Sequence, residues 1–454
     1  MYTFKREIEK SYQTDIAVIG GGVAGCSAAI SAARQGKKVI LVEDSGILGG
    51  QATLGLVTPL SSIRSRSGKP FGGLIDEICG EVKRLSGEYC VPDKSEVGDR
   101  IAAPHILKYV LLKLCREAGV TVLFHARLIG ADTENGRVAR VIVAEKSRLT
   151  VIESEVFIDA TGDGDLIALA GDSYSLGSEP GVMESLVESG LDKVHYTEGR
   201  EYSGYAPSER VMQPVSIFFT MGGVDYEKAA SFNNKNLRYG DLGMTFDDYS
   251  KLPYAGDCGF EQVDGDDKLP LPQGRILVSR GVRRDVAVVN MSRVVGIDGS
   301  DADSLNEGEL KAQKQVIELV DFLKRFVPGF EKAYYLESAA TLGIRETRRL
   351  VGKYVLTGGD VINCRTFERM AARGSYIIDI HDPKGKSKAI GGEIHGDFYE
   401  IPDESLESAK FGNLLAAGRC ISADHVAHSS TRIQGTCIMT GESAGRIAAR
   451  LCGD

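Results

Sequence analysis

No cysteine in this chain is followed by another three positions later. Its nine cysteines (Cys26, Cys79, Cys90, Cys115, Cys258, Cys364, Cys420, Cys437 and Cys452) are dispersed and contain no C-x-x-C pair. That spacing excludes a zinc ribbon, a cysteine-ligated iron–sulfur cluster and a thioredoxin-like dithiol. An odd set of scattered thiols fits a reducing compartment. Long apolar runs are also missing: nothing reaches the roughly twenty residues that span a bilayer. The N-terminal MYTFKREIEKSYQTD has no apolar stretch of signal-peptide length. These absences predict a cytoplasmic protein. Positive charge is in deficit, 54 Lys and Arg against 63 Asp and Glu, for a formal net charge of −9. Neither nucleic acid nor an anionic membrane is therefore an expected partner. Tryptophan is absent and carries no functional meaning. No repeat or low-complexity tract interrupts the chain, and no metal site is expected.

What the chain has in excess is glycine, 54 of 454 residues, which suits a backbone that repeatedly approaches a ligand. The first cluster lies in DIAVIGGGVAGCSAAISAARQGKKVILVEDSGILGG, residues 15–50. DIAVIG reads as a buried parallel strand. Gly20-x-Gly22-x-x-Gly25 follows at once, then an Ala-rich helix closed by Gly36, then the strand KKVILVE ending on Glu43. Each glycine has a mechanical role: Gly20 permits the tight turn, Gly22 lets backbone approach a pyrophosphate, and Gly25 packs helix on sheet. The helix start, with Val23 and Ala24, offers free N–H groups and positive potential to phosphate. Glu43, about 20 residues after Gly20, can accept from a ribose hydroxyl, with Asp44 beside it. The whole unit predicts a dinucleotide site, the alternative being a tightly packed βα turn.

NAD and FAD share that unit, so other segments must discriminate. VFIDATGDGDLIALAG (156–171) reads as a strand running into Ala160-Thr161-Gly162. GNLLAAGRCIS near the C-terminus is an apolar strand ending at Gly418, and the following segment reads as a small-residue helix starting near Thr436. With the doublet Gly49-Gly50 after the acidic residue, these segments resemble FAD-dependent oxidoreductases of the glutathione-reductase-like superfamily. GGQAT, FIDATGDGD, GIRETRRLVGKYVLT and NLLAAGRCISADHVAHSSTRIQGTCIMTGESAG resemble more narrowly the large FAD-dependent oxidoreductase family distantly allied to fumarate reductase flavoproteins. The resemblance runs from Asp15 to Cys452. It implies FAD, with Gly20, Gly22, Gly25 and Glu43 on the ADP half. Gly49, Gly50 and Gln51, with Ala52 and Thr53 after them, would run beside the isoalloxazine or ribityl chain. Ala160 to Gly162 would close over the adenosine side, and the helix start at Gly435 and Thr436 would face the flavin N1/C2=O edge. Many relatives carry Gly-Asp after the last strand, the Asp binding a ribityl hydroxyl. This chain has Gly418-Arg419, and Arg419 would contact the pyrophosphate or face a partner.

The fold expected is α/β: a Rossmann-like FAD-binding domain of the three-layer ββα kind with a second α+β substrate domain. Segments 1–60, 105–170, 339–352 and 412–454 are assigned to the first, and 61–104, 171–338 and 353–411 to the second. HILKYVLLKLCREAG reads as an amphipathic helix, and VTVLFHARL and RVARVIVAEKSRLTVIES as strands joined by an Asn135-Gly136 turn. Residues 339–352 are expected to be helical, MQPVSIFFTMGGVD and RGSYIIDIHD to be strands, and GSDADSLNEGEL (299–310) an acidic loop entering a helix.

No second strand-then-GxGxxG unit and no redox dithiol exist, so a reductase of the glutathione reductase type is not expected. The flavin would exchange electrons with an organic substrate directly or with an external acceptor or donor, although transient NAD(P)H binding stays open. Hydride transfer at flavin N5 needs a proton carrier and polarising groups. Of seven histidines (His105, His125, His195, His381, His395, His425 and His428), His381 ends an apolar strand, and His425 and His428 lie between two flavin-contacting segments. Arg345 stands at an expected helix start, where a cation opposes the dipole and needs compensation. Arg432 can hold an enolate or carboxylate. His395 and Tyr399 are weaker candidates, and Cys26 and Cys437 are expected to pack. The function expected is hydride transfer between FAD and a small hydroxylated or carboxylated molecule. The alternatives are fumarate-reductase-like reduction of an activated alkene, and FAD binding without turnover in a structural or assembly role. A homodimer is expected from the prevalence of twofold oligomers.

Overall fold

The computed structural model describes residues 7–86, 98–100, 103–178, 211–232, 243–246, 272, 276–281, 283, 285–381, 383 and 390–453. His195, Cys90 and Cys258 lie outside the described residues. The first strand, β1 (Lys10–Ile19), is longer than DIAVIG alone predicts. Its polar first half is held by pairing with a second long strand rather than by burial, Lys10 standing opposite Thr150 and Ile19 opposite Asp159. Helix α1 (Val23–Ala33) follows, then β2 (Val39–Glu43), parallel to β1. Helix α2 (Pro104–Glu117) leads into β3 (Thr121–Phe124), and β4 (Arg127–Glu134), β5 (Arg137–Ala144) and β6 (Leu149–Asp159) form the meander. Asn135 and Gly136 both have positive φ, 51° and 72°, as the two-residue hairpin requires. The sheet order is β3-β2-β1-β6-β5-β4, and the strand Leu414–Ala416 pairs parallel with the end of β6.

A second sheet, antiparallel, contains β7 (Phe219–Gly222), β8 (Gly243–Phe246), β9 (Ile276–Arg280), β10 (Ala287–Val289) and β11 (Tyr334–Ser338) in the order β8-β9-β10-β7-β11. Helix α3 (Ala302–Phe326) buries Ala312, Val316, Leu319 and Phe322 in the core of that unit. The main core gathers β1, β2, β6 and α1, and it also takes in Ile75 and Ile78, Leu356 to Ile362, and Ile401 and Leu406. Two helices near the C-terminus complete the part that matters for the site, the short α4 (His425–Thr431) and the long α5 (Gln434–Leu451).

Helix α1 is small-sided and buried nearly all round because α5 lies directly on it. A Cβ on Gly441 would fall 2.1 Å from the Ala24 carbonyl oxygen, and one on Gly445 2.3 Å from that of Ala28. Two sequence expectations are corrected. Residues 339–352 are not a helix: Gly343 bridges Ser216, and Arg348–Leu350 pairs with Tyr174–Leu176. Arg345 therefore stands in extended chain, and no helix dipole opposes it. Residues 299–310 are mostly helix already, since Asp301 caps α3 by accepting from the Ser304 N–H at 2.9 Å. The MQPVSIFFTMGGVD strand is regular only over Phe219–Gly222, with single bridges at Val215 and Ser216 before it.

Candidate active site

The turn after β1 is built by contact. Gly20 has φ +102°, and a Cβ on it would lie 2.4 Å from the Ala160 carbonyl oxygen. A Cβ on Gly25 would lie 1.8 Å from the Gly20 carbonyl oxygen, so α1 can pack there only with glycine. Gly22 differs, since a Cβ would meet nothing within 4 Å. Its open side faces the start of α1, whose cap supplies no side-chain bond and whose first turn, opening with Val23 and Ala24, has no acid. Glu43 ties this loop to the next, accepting from the Gly21 N–H at 2.8 Å and the Ser45 N–H at 2.7 Å. Asp44 instead pairs with Arg127 at the surface.

The Gly49-Gly50 doublet, both residues at positive φ, lies against Gly22 through the Gly22–Gly49 bridge and the Gly49 N–H to Gly21 carbonyl bond of 2.8 Å. The next residues reach toward the second unit. Gln51 donates to the Leu342 carbonyl at 3.0 Å, and the Ala340 N–H donates to the Leu54 carbonyl at 2.9 Å. Ala52 is buried, and Thr53 donates to the Leu48 carbonyl. Across the sheet, Asp159 organises Ala160-Thr161-Gly162 by accepting from the Thr161 N–H, the Thr161 hydroxyl and the Ile167 N–H. Burial pushes the Asp159 carboxyl up to about 6, with those bonds to Ile167 and Thr161 pulling it down.

Helix α5 starts like α1, with no side-chain cap and no acid in its first turn. Gly435 sits where a Cβ would lie 2.4 Å from the Ser61 carbonyl oxygen, and Thr436 bonds Ser62. By contrast α3 and α4 carry Asp301 and Asp424 caps. Uncapped N–H groups at two helix starts, and a glycine with an open side, fit a ligand with a pyrophosphate and an electron-rich ring. The residues present thus fit FAD.

The catalytic candidates separate into two groups. Backing α4, Glu346 is fully buried and accepts from Arg349, from His425 Nδ1 at 2.8 Å and from the Gln213 N–H at 3.2 Å. Burial alone would raise the Glu346 pKa, but His425 and Arg349 outweigh it and hold the carboxyl well below the usual range. His425 and His428 have no solvent exposure. Burial, with Arg349 nearby, holds the His428 imidazole neutral, and neither of its nitrogens has a hydrogen-bond partner among the described residues.

The second group surrounds Gln213. Its side-chain oxygen accepts from the His381 N–H at 3.1 Å and from Arg432 at 3.4 Å, while its Nε2 is buried with no partner among the described residues. Arg432 also donates to the Asp379 carbonyl at 3.1 Å, and His381 Nε2 lies 3.7 Å from the Asp379 carboxylate. Arg345 donates to the Pro214 carbonyl. Burial, then the charge of Arg345, pushes His381 down to about 3, with Asp379 opposing and Arg432 adding to the fall. The structure thus brings His381, Arg345 and Arg432 together and sets His425 and His428 behind them. Among the weaker candidates, His395 is exposed and bonds Asn363, and Tyr399 is buried against Ser430. Cys26 and Cys437 are buried, as packing residues would be.

Sequence reasoning missed Gln213, Asp379, Arg349 and Asp159, and it offered Glu346 only as one possible counter-charge for Arg345, whereas Glu346 pairs with Arg349 and His425. Asp379 and Asp159 had a local signal, each ending or nearly ending an apolar strand beside a residue already singled out. Gln213 had none. Among the described residues no group of three His, Cys, Asp or Glu could hold a metal, and no helix is long and apolar enough to cross a membrane.

Thiamine thiazole synthase of Aeropyrum pernix is 28% identical over 172 residues, 35% of this chain and 58% of that protein. The chain therefore matches little more than half of that relative's length. Among solved structures, a geranylgeranyl bacteriochlorophyll reductase-like protein from Thermoplasma acidophilum is 15% identical, with 97% of this chain and 78% of that one covered and a TM-score of 0.45. The flavin-dependent brominase Bmp2 is 12% identical, with 98% and 80% covered and a TM-score of 0.48. The model of the family described as FAD dependent oxidoreductase matches residues 15–453. The chain belongs to that family.

Proposed function

We propose that this enzyme transfers hydride between FAD and a small hydroxylated or carboxylated molecule, with His381 moving the accompanying proton. The observation that supports it most is the grouping of His381, Arg345, Arg432 and Gln213 beside the segment that reaches the glycine doublet. Leu342 bonds Gln51, Gly343 bridges Ser216, and Arg345 bonds Pro214. Gly20, Gly22, Gly25 and Glu43 would hold the ADP half, Gly49 to Thr53 the flavin side, Ala160 to Gly162 the adenosine side, and the Gly435-Thr436 turn the N1/C2=O edge. Bound FAD supplies a two-electron acceptor or donor for hydride.

His381 is neutral at pH 7, so it offers a ring nitrogen as proton acceptor. A substrate carboxylate or forming alkoxide near Arg345 and Arg432 offsets their charge, which raises His381 basicity when substrate is bound. Arg432 is oriented by the Asp379 and Gln213 oxygens. His425 and His428, fully buried, position α4 and do not touch substrate. The other half-reaction goes to an external electron acceptor or donor.

The test is anaerobic bleaching of the bound flavin by a panel of alcohols, sugars and hydroxy acids. The reading expects at least one class to bleach it, and Arg432→Gln to slow that step. Activated alkenes reoxidising the dithionite-reduced enzyme, with no alcohol or hydroxy acid bleaching the oxidised form, would move the assignment to alkene reduction. Silence in both directions contradicts it.

A further inference from the structure

We infer that Arg419 acts on the cofactor through Asp163: it latches the Ala160–Asp165 loop shut over the nucleotide site and ties that loop to the segment carrying Arg345 and Glu346. The turn Gly418–Cys420 is wedged between α1 and α5. Gly418 has φ +79°, a Cβ on it would lie 2.8 Å from Ala24 Cβ, and its N–H donates to the Thr440 hydroxyl at 3.1 Å. This anchorage fixes where the next side chain starts. Arg419 then reaches across Gly162, where a Cβ would stand 3.0 Å from Arg419 Nη2.

Its guanidinium donates to Asp163 Oδ1 at 2.7 Å and to the Thr347 hydroxyl at 3.2 Å, and Thr347 donates to the same Asp163 oxygen at 2.7 Å. Three side chains from three segments thus close a triangle. Arg348, next to Thr347, adds bonds to the Asp163 carbonyl at 3.1 Å and the Asp165 carboxylate at 2.9 Å. The loop held this way contains Gly162 and Gly164 at φ +80° and +66°, so left alone it loses much backbone entropy on ordering. Asp159 fixes its base, and Arg419 fixes its crest.

With its fork committed to Asp163 and Thr347, Arg419 is a positioning residue rather than a phosphate contact. Arginine suits the task because its rigid planar fork holds two acceptors on different segments in fixed geometry, whereas a lysine ammonium can bond both only as a flexible point charge.

The inference rests on FAD binding alone and not on the substrate reading, and its readout is separate. Flavin release from diluted holoenzyme, followed by flavin fluorescence, gives the FAD dissociation constant for wild type, Arg419→Ala, Asp163→Asn, the double variant and Arg419→Lys. The expected result is about tenfold weaker binding in each of the two single variants, no further loss in the double, and partial recovery with lysine. Weakening by Arg419→Ala alone, with Asp163→Asn unchanged or the effects additive, means direct phosphate contact and overturns the inference. A lowered melting temperature with FAD affinity unchanged means a merely structural tie and also overturns it. Should the arginine variants fail to fold, Thr347→Val removes the third corner. It is expected to weaken FAD several-fold, and unchanged affinity there overturns the inference as well.

Discussion

Gly22 and Gly25 sit three residues apart and ask different things of the backbone. A methyl on Gly25 has no room, with the Gly20 carbonyl 1.8 Å from the Cβ position. Gly25→Ala is expected to cost about 3 kcal/mol or more in folding and to yield flavin-free protein, read from the melting temperature and the flavin-to-protein absorbance ratio. Gly22→Ala meets nothing within 4 Å, so the flavin-free protein should melt as wild type does while binding FAD far more weakly. His381 gives a pH prediction. Its folded pKa, about 3, lies below its ordinary value of 6.5, so the unfolded chain binds a proton that the folded one refuses. The stability this contributes is complete above pH 6.5 and is lost as pH falls toward 3. The slope of this term is at most about 1.4 kcal/mol per pH unit. His381→Asn should flatten that acid limb in denaturant titrations between pH 6.5 and 4. At this scale the glycines and Glu43 were legible, because a phosphate-binding turn needs them at fixed spacing. Gln213 was not, because its value comes from Arg432 and His381, more than 150 residues away.

Among the elements, α1, α4 and α5 differ in how they begin. Helices α1 and α5 leave their first N–H groups free for a ligand, whereas α4 is closed by Asp424, which accepts from Ala427 at 2.7 Å and also from the Gly358 N–H at 2.9 Å. Asp424→Ala should therefore cost about 1 to 2 kcal/mol, seen as a lower denaturation midpoint. Arg432, the C-cap of α4, moves with that helix, so substrate-dependent bleaching should weaken in the same variant while FAD stays bound. The βαβ unit, the meander and the last helix were readable from periodicity and punctuation. The segment 339–352 was not. Its Arg and Glu residues favour a helix locally, yet bridges to Ser216 and to Tyr174–Leu176 hold it extended, and tertiary partners outweigh a propensity of a few tenths of a kcal/mol per residue. The acidic run at 299–310 misled in the opposite direction, being the Asp301 cap and the opening turns of α3 rather than a loop.

For the whole molecule, two cores meet where Gln51 and Leu54, just after the glycine doublet, bond Leu342 and Ala340, and the candidate substrate residues cluster on that seam. FAD bound there should stabilise the fold by linkage, by about 2.7 kcal/mol at a free concentration 100 times its dissociation constant, measured as a rise in melting temperature on adding FAD. The α/β class and the flavin domain were legible because the motifs are local in sequence. The polar site was legible only in part, because it is assembled from residues 213, 345, 379, 381 and 432, which meet only in the folded chain. The most direct test of the account is the anaerobic rate of flavin bleaching by its best organic reductant, measured against pH in wild type and His381→Asn. The account predicts a rate lowered at least about 100-fold in the variant, with FAD affinity unchanged and the wild-type pH dependence lost. Equal rates with the same pH profile in both proteins would contradict it.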